Sequence, residues 1–222
     1  VTVGIYGLTS PIIAKWLKVA QSDPQGVLFV GAHSWAIEFA KILNENKIRV
    51  VLVDTNYSHI SDARLEGLTA YQGSILSEHL IDEIDLNGIG RMMALTSNDE
   101  ANSLASLHLR EEFESGELYQ LPPLGKKNGD KSEFSAKHLR ARFLFEDGMN
   151  FDKLNDLFLS GWIIKVTGLT EEFTYEDFLN NYNNNVLVLF WLSESNKLGI
   201  ATVENDFEPK AGFKIIALVK ET

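Results

Sequence analysis

From residue 27 onward the chain alternates short apolar runs with stretches of helical period. "VLFVG" is an unbroken apolar run closed by a glycine, the pattern of a strand buried on both faces. "SWAIEFAKILNEN" places Ala36, Phe39, Ala40 and Leu43 on one helical face, with Ser34 in position as N-cap. "IRVVLVD" is a second strand ending in Asp54, and "HISDARLEGL" is a helix stopped by Gly67. "TAYQG", "RMMALT" and "ELYQL" are the third to fifth strands. The helices between them are "LSEHLIDEIDL", with Ser77 as cap, and "DEANSLASLHLREEFE", capped by Ser97 or Asn98. Strands and helices alternating through brief connections predict an α/β fold, a Rossmann-like doubly wound parallel sheet.

The rhythm breaks at "PPLGKKNGDKSEFS", residues 122–135, where prolines, glycines and charges predict an exposed linker. Beyond it "HLRARFLF" is a strand, open as a sixth member of the first sheet, and "NFDKLNDLFLSG" is a helix. "WIIKVTGL", "VLVLFWLSES", "KLGIATVE" and "FKIIALVK" are strands, "TYEDFLNNY" is an inserted helix, and "ESNK" is a hairpin turn. The asparagine run "LNNYNNN" reads as a loop, since asparagine tolerates left-handed backbone. The expected organisation is a segment at 1–23, a nucleotide-type domain at 24–121, the linker, and a small α+β domain with antiparallel strands at 136–222.

Composition narrows the function. The apolar fraction of 45% suits a globular chain with a substantial core. The absence of cysteine excludes disulfides and thiolate metal sites. A net charge of −11 argues against nucleic acid, itself a polyanion, as a partner. No apolar run is long enough to cross a bilayer, so the chain is expected to be soluble as written. The charge is uneven: residues 1–22 carry +2 and the remainder −13. The chain starts at Val1, which reads as processing or excision from something longer. Lys15, Trp16 and Lys18 after an apolar stretch resemble the cytoplasmic end of a membrane helix, and equally an amphipathic helix lying on its own domain. A secretory signal would carry its basic residues ahead of the apolar stretch.

The candidate chemistry lies at the strand exits. In dinucleotide folds the first glycine after the first strand permits a sharp turn, the second lets backbone meet pyrophosphate, and the third lets helix pack on strand. Here Gly31 fills the first role and Ala36 the third, while His33 stands where the second glycine would be. His33 then either fills the mouth of the crevice, bonds a ligand phosphate as a charged imidazole, or titrates as a pH sensor. Asp54, about 20 residues on, occupies the ribose-binding position. Thr96, Ser97 and Asn98 leave the fourth strand, where they either contact a ribose or phosphate or simply cap the next helix. His59, His79, His108 and His138 show no metal-ligand spacing and read as surface or helix-face residues. The clusters "DEID" and "REEFE" read as solvated helix faces. No nucleophile–base arrangement or catalytic signature is present, so an enzyme is not expected.

The stretches "GLTSPIIAKWL", "VGAHSWAIEFAKIL", "VLVDTN", "GIGRMMALTSNDEANSLASLH" and "YQL" closely resemble the cytoplasmic tail of bacterial sodium/proton (cation:proton) antiporters. That tail contains a TrkA-N, or RCK (regulator of K⁺ conductance), nucleotide-binding domain. The resemblance runs from residue 4 to about 121. More weakly, "GWIIKVTGLTEEFTYEDF" and "PKAGFKIIALV" look like the small RCK-C-like domain that follows. The resemblance implies a regulatory domain in ion transport, not catalysis: a homodimer at the cytoplasmic face of the bacterial inner membrane. It would bind an adenine nucleotide (AMP or ATP, or NAD/NADH), without metal, and gate the transmembrane antiporter domain of the same polypeptide through dimer rearrangement. It further implies a tight-turn role for Gly31 and a ribose-binding role for Asp54. Gly73 and Ser74 match a Gly-Asp pair after the third strand, and Thr96 the end of the fourth. With the neighbours His33, Ser34, Thr55 and Ser97 these make up the expected nucleotide site. His33 and Ser74 depart from the family pattern and tilt the expectation towards a mononucleotide. The competing readings are an interaction scaffold with a degenerate nucleotide site, and an NAD-dependent oxidoreductase using residues 136–222 as substrate domain.

Overall fold

The computed structural model describes residues 23–114, 117–124, 141–204 and 209–221. All but the last residue of the expected segment at 1–23 and most of the linker at 122–135 lie outside the described residues. The apolar runs become strands β1 (Gly26–Val30), β2 (Val50–Asp54), β3 (Thr69–Gln72), β4 (Ile89–Ala94) and β5 (Leu118–Gln120). A short β6 (Arg142–Phe143) joins them from beyond the linker. All neighbours pair in parallel, in the spatial order β3-β2-β1-β4-β5-β6. This is the doubly wound order, whose direction reverses between β1 and β4 and opens a crevice there at the carboxyl edge.

Side-chain alternation sorts the sheet into two cores. Val27, Phe29, Val50, Leu52 and Met93 face α1 (Ser34–Glu45) and α2 (Tyr57–Leu65). Leu28, Val30, Val51, Val53, Met92 and Ala94 face α3 (Glu78–Glu83) and α4 (Asp99–His108). Both faces are covered, so the central strands read as continuous apolar runs: β1 is buried along its whole length.

The second half contains α5 (Phe151–Leu159), β7 (Ile163–Gly168), α6 (Tyr175–Asn181), β8 (Val186–Leu192), β9 (Leu198–Ile200) and β10 (Lys214–Val219). Its strands form an antiparallel sheet in the order β7-β10-β8-β9. The expected turn sits between β8 and β9, where Asn196 takes φ 59 and its N–H bonds the Ser193 carbonyl at 2.8 Å. The asparagine run is a loop only in its second part: Leu179, Asn180 and Asn181 end α6, and the turn that follows holds Asn183 and Asn184 at φ 51 and 60. A register shift opposite Ile216/Ala217 places both Leu189 and Phe190 on the core side of β8.

One core runs through both sheets. Phe39 of α1 meets Phe190 of β8 edge-on at 5.8 Å, and Phe145 meets both rings. A backbone splice supports this junction: Phe145 N–H bonds Ala201 carbonyl at 2.8 Å, and Val203 N–H bonds Phe143 carbonyl at 3.0 Å. The first helix of the second half, α5, therefore comes to rest beside the start of α1.

Candidate functional site: the crevice at the β1/β4 switch point

Gly31 makes the turn out of β1. Its φ of +110 is a conformation that side chains rarely adopt, and an added Cβ would lie 3.2 Å from the Leu95 carbonyl carbon. Its N–H donates to the Val53 carbonyl at 2.8 Å, which ties the exit of β1 to that of β2. The helix starts one residue earlier than the expected cap at Ser34 implies. His33 is the N-cap, since its carbonyl accepts the Ile37 N–H at 3.0 Å, and Ser34 is the first helical residue, exposed. Ser34 does not line the crevice.

The His33 side chain is drawn inward instead of capping. Its Nε2 bonds the Leu95 carbonyl at 2.7 Å, and its ring lies 3.8 Å from Trp35 and 4.9 Å from Phe151. Burial depresses its pKa to about 4, outweighing the Leu95 carbonyl and the Asp54 carboxylate, which both favour the charged form. The ring is therefore neutral at physiological pH. With Nε2–H donating to Leu95, Nδ1 is a bare acceptor, buried without a partner. As placed, the neutral ring offers a phosphate no positive charge, and its titration lies far below neutrality. The imidazole instead fills the approach to the α1 N-terminus.

Asp54 closes β2, and its carboxylate accepts three hydrogen bonds. Its Oδ1 accepts the Asn56 N–H at 2.8 Å, and its Oδ2 accepts the Ala32 N–H at 2.8 Å and the His59 ring at 3.0 Å. Burial pushes its pKa up, but the Asn56 amide, His59 and the Ala32 amide together hold it below the usual carboxylate range. His59, read from sequence as a surface or helix-face residue, lies on α2 and lines the crevice. It sits one helical turn past the α2 cap Asn56, whose side chain accepts the Ser58 N–H.

Across the crevice, Thr96 serves the next helix. Its hydroxyl bonds the Asn102 Oδ1 at 2.7 Å and accepts the Asn98 N–H at 3.2 Å, while Asn98 caps α4 through the Ala101 N–H. Of the two caps open from sequence, Asn98 is the one used. Asn102, 1% exposed, completes the network by donating to the Thr96 carbonyl; no sequence motif marked it.

These elements enclose a cavity of about 380 Å³. Gly31, His33, Asp54, Thr55, Gly73, Ser74, Thr96 and Ser97 all line it, so eight of the nine expected positions converge. Val30, Val53, Ile75 and Leu76 supply an apolar wall, and Phe151 reaches over from α5. The size lies at the lower end of small-ligand sites, roughly 300–1,000 Å³, suited to a nucleoside-sized group. Among the described residues, no group of three or more His, Cys, Asp or Glu is placed to hold a metal ion.

A Rossmann-like sheet with this crevice defines the nucleotide-fold class of protein. Within it, residues 27–119 match the family model of the TrkA-N domain. No curated protein sequence matches the chain. Among solved structures, the NAD(P)-binding domain of an exopolyphosphatase-related protein from Archaeoglobus fulgidus is 18% identical, with 61% of this chain and 96% of that one covered and a TM-score of 0.46. The TrkA-N domain of the inner membrane protein ybaL from Escherichia coli is 16% identical, covering 45% and 74%, at a TM-score of 0.39. The GsuK channel bound to NAD is 13% identical at a TM-score of 0.44, and this chain spans 43% of its length. No helix among the described residues is long and apolar enough to cross a membrane.

Proposed function

We propose that this chain is a regulatory module that senses an adenine nucleotide in the β1/β4 crevice and gates a monovalent cation/proton antiporter carried on the same polypeptide. The observation that carries the reading is the Gly31 turn and the Asp54 carboxylate fronting a 380 Å³ cavity at the topological switch point. The TrkA-N match over residues 27–119 supports the same assignment. Residues 24–121 would be the sensing unit and 136–222 the unit that reads it out, as a homodimer on the cytoplasmic face of the membrane. Phe151 supports that coupling, because it lines the crevice yet belongs to the second half. Nucleotide occupancy would act by favouring one dimer arrangement over another, which requires unequal affinity for the two. The His33 ring beside the α1 N-terminus favours AMP over NAD, since it stands where a pyrophosphate would approach the helix.

Binding at this site stabilises the folded chain by an amount that grows with the logarithm of ligand excess over Kd. AMP at millimolar concentration is expected to raise the melting temperature, and Asp54→Ala to abolish the rise. A rise retained in Asp54→Ala would place the nucleotide elsewhere. No rise with AMP, ATP, NAD or NADH would favour the scaffold reading, to which the inward-turned His33 lends some support.

A further inference from the structure

The bonding of Asp54 restricts how a ribose can be held, and this inference rests on the reading of the crevice as a nucleotide site. An ionised carboxylate offers about four lone-pair sites, two on each oxygen. On Oδ1 one is taken by the Asn56 N–H, leaving one. On Oδ2 both are taken, one by the Ala32 N–H and one by the His59 ring. A ribose 2′,3′-diol that donates both hydroxyls to the carboxylate needs one lone pair on each oxygen. The two backbone amides are fixed by the turns that bear them. The His59 side chain, 36% exposed, can leave Oδ2 without disturbing either core.

We infer that His59 is an affinity-determining residue that occupies the ribose acceptor on Asp54 in the free protein and must be displaced for a nucleoside to bind through its diol. The ring donates through Nδ1–H, because an ionised Asp54 can only accept. His59 thus sets a threshold on the site, since each binding event must replace an existing charge-assisted hydrogen bond with one from the sugar.

The inference is tested by isothermal titration of adenosine and of 2′,3′-dideoxyadenosine into the wild-type chain and His59→Ala. Adenosine is expected to bind the variant on the order of tenfold more tightly, with dideoxyadenosine affinity unchanged. Unchanged or weakened adenosine binding in the variant, with the wild type still binding, overturns the inference and leaves the nucleotide site standing. An equal gain for both nucleosides also overturns it, because the gain would then come from added space. Failure of both proteins to bind either nucleoside at millimolar concentration rejects the nucleotide site itself, and the inference with it. The ¹⁵N shift of His59 Nδ1 in the wild type gives a readout independent of the variant. It should leave the hydrogen-bonded, protonated value as adenosine saturates the site, and a shift that stays fixed at saturation contradicts the displacement.

Discussion

Trp35→Ala is expected to lower stability by about 3–5 kcal/mol, the range for truncating a large aromatic in a packed core. The indole is 1% exposed and touches rings from both halves of the chain. It lies 3.8 Å from His33, 5.3 Å from Phe39, 5.6 Å from Phe151 and 6.5 Å from Phe158. Its loss would therefore leave a cavity between α1 and α5 that neither helix can close by moving alone. The Nε1–H of Trp35 has no partner in this interior, so the polar end of the ring adds nothing to hold it there. Trp35→Phe, which keeps most of the apolar surface and removes the orphan donor, should cost far less than the alanine change. Urea unfolding of the three proteins checks this; equal losses in the two variants would mean that the indole N–H, not the packing, is what stabilises.

Acidification is expected to destabilise the chain well before general carboxylate titration completes. His33 has a folded pKa of about 4 against 6.5 for an unhindered ring. Between those values the unfolded chain binds the proton and the folded chain does not, so stability falls as pH falls. The stabilisation is full above pH 6.5 and is lost progressively down to pH 4, at about 1.4 kcal/mol per pH unit and about 3 kcal/mol in all. The depressed pKa of Asp54 acts in the same direction at lower pH, where its carboxylate must give up its amide and His59 partners on protonation. His33→Gln keeps a donor for the Leu95 carbonyl and removes the titration. Its unfolding free energy should be flatter than the wild type's between pH 7 and 4, and parallel curves would show that His33 is not the group responsible.

Much of this fold was legible because parallel strands are buried on both faces and amphipathic helices on one. "VLFVG" and "RVVLVD" could hardly be anything else, and Gly31 and Asp54 follow from the chemistry of strand exits. The limits of individual helices were less legible: the cap fell on His33 and not Ser34, since capping depends on which carbonyl accepts the first helical bond. Long-range contacts left no local trace. Nothing near position 59 says that a helix-face histidine turns back onto a carboxylate five residues earlier, and nothing near 151 says that its ring overhangs a crevice whose other residues all precede the linker. Asn102 was hidden for the same reason: a buried asparagine is justified only by the Thr96 groups that it satisfies. His33 stood out as a departure from glycine, but its meaning depended on the Phe151 ring that the second half brings against it.

An adenine nucleotide bound by this chain is proposed to sit at the carboxyl edge between β1 and β4. Amide chemical shifts recorded during an AMP titration test it residue by residue. Saturable changes are expected at Gly31, Asp54, Thr55, Gly73, Ser74 and Thr96, with Phe151 responding from the second half. Shifts that cluster away from these positions, or none at millimolar AMP, would contradict it.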